Sequence, residues 1–317
     1  MSTNNSSCHT FSDKELNAIF FARVGVASVS FIACLVALIL MSVLICCMKV
    51  WKTFVHRLKL YLTATALIIS PLYLLQALPM QYPNAHWTSG CKPIAFLHMY
   101  VNWVMLLLIC WMFAYLLRLA QRIGKPLRLR FPHNSCLEGA GIAFTLVLPL
   151  LFVWTPFVTD SYGLGCLWCG IIIKHFKDTD SPIRGLGYLI GLWYGSTIIV
   201  VLLCTVGFFF VIGKFVTYYK RRGLTQHISN AIVKGIPPVS YLILYNAINC
   251  VDISNLTYHS IARLDGREDN IDYHLWMTHA VAGPSRALAI PFAFVLSQLL
   301  IQCCFRKRKK VPYVWIN

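Results

Sequence analysis

Charged residues divide the 317-residue chain into long apolar runs. No charge occurs between Arg23 and Lys49, between Lys59 and Lys92, or between Lys92 and Arg118. The same holds from Glu138 to Asp160, from Arg184 to Lys214 and from Lys234 to Asp252. A last run, Trp276 to Cys304, contains one charge, Arg286. A helix rises about 1.5 Å per residue and a bilayer core is about 30 Å thick, so runs of about 20 apolar residues read as spanning helices. The pattern predicts seven of them. The sixth, with 17 residues between Lys234 and Asp252, is the shortest. The third is the plainest: Cys91-Lys92-Pro93, then 24 uncharged residues from Ile94 to Leu117, then Arg118.

Composition agrees. The chain is 58% hydrophobic and 12% charged, too few charges to cover a soluble protein of this size. The expected class is an all-α membrane protein, a seven-helix bundle in one domain. Residues 1–18 form a short amino-terminal segment, 19–304 the bundle and 305–317 a basic tail. Met1 to Glu15 is polar with no apolar core, so the first spanning helix is expected to direct insertion. The net charge of +17 reads as asymmetry across a bilayer rather than as a nucleic-acid footprint.

That asymmetry predicts the orientation. With the amino terminus outside, the cytoplasmic loops and tail hold 19 basic residues and one acid, Glu138, while the outside holds 8 basic residues and the other 10 acids. This is a strong positive-inside bias. Glycosylation sequons at Asn4, Asn5 and Asn255 all fall outside in this topology. The thirteen cysteines are scattered, and many lie in apolar runs, where they read as small hydrophobes.

Seven spans, an outer amino terminus and a cysteine opening the third span resemble a G-protein-coupled receptor. The rhodopsin-like signatures are missing: the third span ends Tyr115-Leu116-Leu117-Arg118 without Asp-Arg-Tyr, and no Asn-Pro-x-x-Tyr lies in the seventh. Instead, Gly165-Cys166-Leu167-Trp168-Cys169-Gly170-Ile171 resembles the Trp-Cys-Trp-Ile outer loop of cyclic-AMP-receptor-like and secretin-like receptors. His56-Arg57-Leu58-Lys59-Leu60-Tyr61-Leu62 resembles the start of their second helix. His279 to Ala287 resembles their seventh-helix stretch. Gly170 replaces the second Trp, and Arg286-Ala287 stand where Gln-Gly is expected. No large ectodomain of the secretin type is expected, which leans towards the cyclic-AMP-like group. The resemblance implies a plasma-membrane, multi-pass receptor with a heterotrimeric G protein, an extracellular ligand and membrane lipids as partners. It implies no cofactor, no nucleic acid and no enzymatic activity. It favours a Cys91–Cys169 disulfide that folds the loop over the bundle as a lid. Cys166 is the competing partner of Cys91, and could instead pair with Cys8 or stay free.

Within the spans, His98 and Asn102 are four residues apart and share a helical face. They either line a ligand site or hydrogen-bond between helices for packing. Arg286 is expected to contact an anion, to act as a structural lock or to snorkel at the boundary. Pro71, Pro149, Pro156, Pro237, Pro238, Pro284 and Pro291 are expected to bend their helices, either as hinges or as static packing bends. Arg118, Arg122, Lys220, Arg221 and Arg222 are candidate G-protein contacts, with topology and anionic lipid as the competing roles. Cys303 and Cys304, beside the basic run Arg306 to Lys310, are candidate lipidation sites.

Other classes fit less well. An intramembrane hydrolase would need clustered metal ligands, and Asp is absent from the apolar runs. A retinal protein would need a lysine in the seventh span, which has none. A transporter of a small solute, an anionic one among the options, remains the alternative. The lack of a visible internal repeat argues against it.

Overall fold

The computed structural model describes residues 11–48, 54–81, 87–121, 135–164, 167–171, 187–222, 226–264 and 273–305. Helices α1 (Asp13–Met48), α2 (Phe54–Gln81) and α3 (Trp87–Gln121) come first. The fourth span, α4, is interrupted: Ser135–Val147, then Leu150–Val153, then Thr155–Val158. A hairpin follows, β1 (Tyr162–Leu164) antiparallel to β2 (Cys169–Ile171). Helix α5 opens with a π-helical turn, Leu189–Gly195, and continues as Ser196–Arg222. Helices α6 (Gln226–Leu264) and α7 (Tyr273–Phe305) complete the bundle.

The α1 start is written locally. The Ser12 amide donates to Glu15 Oε2 at 2.9 Å and the Glu15 amide to Ser12 Oγ at 3.4 Å, a reciprocal capping box. The helix therefore begins at Asp13, ahead of the expected boundary at 18, and Arg23 lies well inside it. In α4, Pro149 follows the end of Ser135–Val147, and Pro156 sits in the first turn of the last piece. Proline lacks an N–H and clashes with the preceding turn, so the span is stepped there. Pro71, Pro237, Pro238, Pro284 and Pro291 lie within continuous helices.

Helices α3 and α7 are the most buried of the apolar spans, and α4 is the least. Helix α1 packs on α2 and α7, α6 on α7, and α3 on α2, α5 and α6. One apolar core joins Leu62, Ile69, Met105, Ile109, Leu116, Tyr245 and Ala287. The outer faces of α1 and α5 expose Ile32, Ile39, Val43, Leu202, Val206 and Phe209. Such helices, apolar on the outer as well as the inner face, suit a hydrocarbon surround. At the basic end of the bundle, Arg57 of α2 meets Glu138 of α4 through two contacts, Nε to Oε1 at 2.6 Å and Nη2 to Oε2.

Among the described residues, six helices are long and apolar enough to cross a membrane. The remaining long helix is α6, and it corrects the sequence reading. Its expected 17-residue span is part of a 39-residue helix. Asp252, expected as an outer boundary charge, lies inside the bundle and is 1% exposed. Asn249, Asp252 and Asn255 recur every third residue and are all buried, which lowers the hydropathy of this helix without ending it.

Candidate functional site

Cys91 and Cys169 form a disulfide, with Cα atoms 4.9 Å apart. The bond holds the hairpin against the start of α3, and Lys92 beside it forms an ion pair with Asp160. Cys91, Ala95, Met99, Val153, Tyr162 and Cys169 make a separate apolar cluster under the hairpin. Leu167 and Trp168 fill the other side, Leu167 packing with Phe11, Ile19, Trp276 and Ala280. This hairpin is the lid. Cys166 falls outside the described residues.

Below the lid, polar side chains from five helices meet. Gln76 of α2 donates from Nε2 to the Cys169 carbonyl at 2.9 Å. Its Oε1 accepts from Arg23 Nη2 of α1, also at 2.9 Å. The Arg23 guanidinium lies 4.2 Å from the Trp168 ring centroid and 5.1 Å from that of Tyr73. Tyr73 meets His98 edge-on at 4.7 Å, and His98 stacks on Trp193 of α5 at 5.6 Å. Arg286 lies 5.4 Å from the Trp193 centroid and donates from Nη1 to Asn102 Oδ1 at 3.4 Å. Arg286 Nη2 forms an ion pair with Asp252 Oδ2, and His279 Nδ1 faces Asp252 Oδ1 at 2.5 Å. His279 returns to the lid, 4.9 Å from Trp168. The circuit is closed, from lid to α1, α2, α3, α5, α6 and α7 and back.

The π turn in α5 places Trp193 in this circuit. A wide turn leaves carbonyls open to other donors. The Leu192 carbonyl accepts from Trp103 Nε1 of α3 at 2.9 Å, and the Trp193 carbonyl from Thr197 Oγ1 at 2.7 Å. A Cβ at Gly195 would stand 3.0 Å from the Ile190 carbonyl oxygen, so glycine suits the turn.

Arg286 is 1% exposed and stands thirteen residues into α7, about 20 Å along the helix from Tyr273. It is therefore an interior charge, and the snorkelling reading does not hold. A lone cation at such a depth costs at least about 2.5–3.5 kcal/mol. Asp252 offsets that cost, and losing either partner of a buried pair costs about 3–5 kcal/mol. Within the structure Arg286 therefore acts as a tie between α6 and α7.

The structure brings His98, Asn102 and Arg286 together, and they are 4%, 2% and 1% exposed. It adds Arg23, Tyr73, Gln76, Trp168, Trp193, Asp252 and His279, which sequence reasoning missed as members. The polar three-residue spacing around Asp252 and the apolar stretch before Arg23 were available signals. Asn255 is placed in α6 and is 4% exposed, so its side chain is not accessible to a glycosyltransferase, against the expectation from its sequon. Asn4 and Asn5 lie outside the described residues. At the opposite end, Arg118 is exposed near the end of α3, and Lys220 and Arg221 are exposed at the end of α5. Arg122 and the Arg222 side chain lie outside the described part. The backbone of Cys303 and Cys304 closes α7, and their side chains also lie outside it.

Among solved structures, the chain is similar to the crystal structure of squid rhodopsin. The TM-score is 0.64 at 11% identity, covering 93% of this chain and 82% of that one. The fold is a seven-helix membrane bundle of the rhodopsin kind. No protein-family model and no curated protein sequence matches the chain.

Proposed function

We propose that the protein is a G-protein-coupled receptor of the plasma membrane, with the amino terminus and lid outside and the basic end in the cytoplasm. The observation that supports this reading best is the closed polar circuit, which runs from the lid to the Asp252–Arg286 tie inside a rhodopsin-like bundle. A ligand seated under the lid that favours one arrangement of the circuit shifts the population of α6 and α7 positions. At the other end, Arg118, Arg122, Lys220, Arg221 and Arg222 would rim the opened cleft and meet carboxylates of a heterotrimeric G protein. The Trp168-Cys169 lid is compatible with the cyclic-AMP-receptor-like and secretin-like group. Palmitoyl groups on Cys303 and Cys304 would hold the end of α7 at the inner leaflet.

The experiment is a panel of G-protein dissociation sensors in cells expressing the chain, read as constitutive activity. Wild type is compared with Arg118→Ala and with a triple alanine change at Lys220, Arg221 and Arg222, at matched surface level and orientation. Constitutive activation of one G-protein class, reduced several-fold by either variant, supports coupling. Equal activity in all three proteins leaves those residues as topology and lipid contacts. No activation of any class, either in these proteins or in a variant lacking the Asp252–Arg286 tie, removes the receptor reading.

A further inference from the structure

The two buried arginines of the circuit differ in a way that bears on the ligand. Arg286 has Asp252 as counter-charge. Arg23 is 2% exposed, and no carboxylate pairs with it among the described residues. Among the described residues its hydrogen bond goes to the neutral amide of Gln76, and its Nε and Nη1 have no partner there. Two aromatic rings, Trp168 and Tyr73, lie beside its guanidinium. Cation–π contact attracts the charge without neutralising it.

Other unpartnered polar atoms gather at the same place. The Tyr73 hydroxyl and His98 Nε2 are buried without hydrogen bonds among the described residues, and the two rings are 4.7 Å apart. Buried polar atoms in folded proteins are normally satisfied, so three such groups around one ring mark where a ligand's polar atoms belong. A buried cation normally has a counter-charge. We propose that Arg23, with the Tyr73 hydroxyl and His98 Nε2, is the anchor of an anion site beneath the lid. Its ligand class is a small organic acid, with one carboxylate or phosphate on an aromatic or apolar body. The anionic group sits on the Arg23 guanidinium. The body lies against Trp168 and Trp193, the rings that flank Arg23 and His98. A lipid headgroup offers the same anionic chemistry from a second source. The proposal rests on the reading of this cluster as the ligand site and is independent of G-protein coupling.

The test uses the full chain in phosphatidylcholine nanodiscs, with ligand-induced shifts in thermal unfolding as the readout. The probes are benzoate, indole-3-acetate and phenyl phosphate, each against its neutral amide or alcohol. At least one anion is expected to raise the unfolding midpoint while its neutral counterpart does not. Arg23→Gln is expected to weaken that anion about 10- to 100-fold, the range for losing a hydrogen-bonded charge. Arg23→Lys keeps the charge without the planar fork and is expected to weaken it about tenfold. Should Arg23→Gln fail to fold, Arg23→Lys carries the comparison. No shift with any anion, equal shifts with the neutral counterparts, or unchanged affinity in the folded variants overturns the proposal. Repeating the titration in discs containing phosphatidylglycerol separates the sources. Competition assigns the site to an anionic headgroup and its absence to the free acid, and both keep Arg23 as the anchor. Binding without any G-protein activation would remove the receptor reading and leave the site. Activation without anion binding would do the reverse.

Discussion

Pro291 has no N–H, so the Ala287 carbonyl four residues earlier loses its helical donor. Cys34 of α1 donates to that oxygen from Sγ at 3.4 Å, and Ser30 donates to the Pro284 carbonyl at 3.1 Å. Cys34 thus satisfies the carbonyl that Pro291 leaves open, and both small side chains fix α1 against α7. Cys34→Ala is expected to lower stability by about 0.5–1 kcal/mol, and Cys34→Ser to retain most of it. Thermal unfolding in nanodiscs measures both, and equal losses would show that packing rather than the hydrogen bond matters. The sequence already placed cysteines in apolar runs as small hydrophobes, and Cys34 is buried as that reading implies. Its acceptor lies 253 residues away, which no local pattern reveals. Arg286 was legible because it is the one charge in its run. Asp252 was not, because a charge ending an apolar run reads as a boundary until its tertiary partner is known.

At the scale of elements, close approach depends on what a helix lacks. A Cβ at Gly207 of α5 would stand 1.9 Å from Cζ of Phe113 on α3, so the absence of a side chain allows this contact. Gly207→Ala is expected to cost about 1–3 kcal/mol through overpacking. Phe113→Leu in the same chain is expected to recover part of that loss. A double-mutant cycle on the unfolding midpoint checks the coupling, and additive losses would contradict direct contact. The other elements divide by cause. Apolar runs bounded by charges located α3 and α7 well, since length and hydropathy decide such helices, whereas the run after Lys59 overshoots the end of α2 at Gln81. The start of α1 and the length of α6 were misplaced, since the buried charges Arg23 and Asp252 broke the runs. The Cys91–Cys169 lid was legible through motif resemblance, whereas the π turn that positions Trp193 has no clear sequence signal.

For the whole molecule, the seven-helix membrane bundle followed from hydropathy, and the likeness to squid rhodopsin agrees with it. The candidate site was legible only in part, as His98, Asn102 and Arg286, because a site built from six helices and a lid is a tertiary object. The central claim is that Asp252 and Arg286 form one tie between α6 and α7, and that in the proposed receptor this tie holds the resting arrangement. The measurement is constitutive G-protein activation across Asp252→Asn, Arg286→Gln and the double variant, at matched surface level. A single tie predicts that each variant raises activity and that the double is no higher than either single. Unchanged activity in the singles, or additive increases in the double, would contradict it.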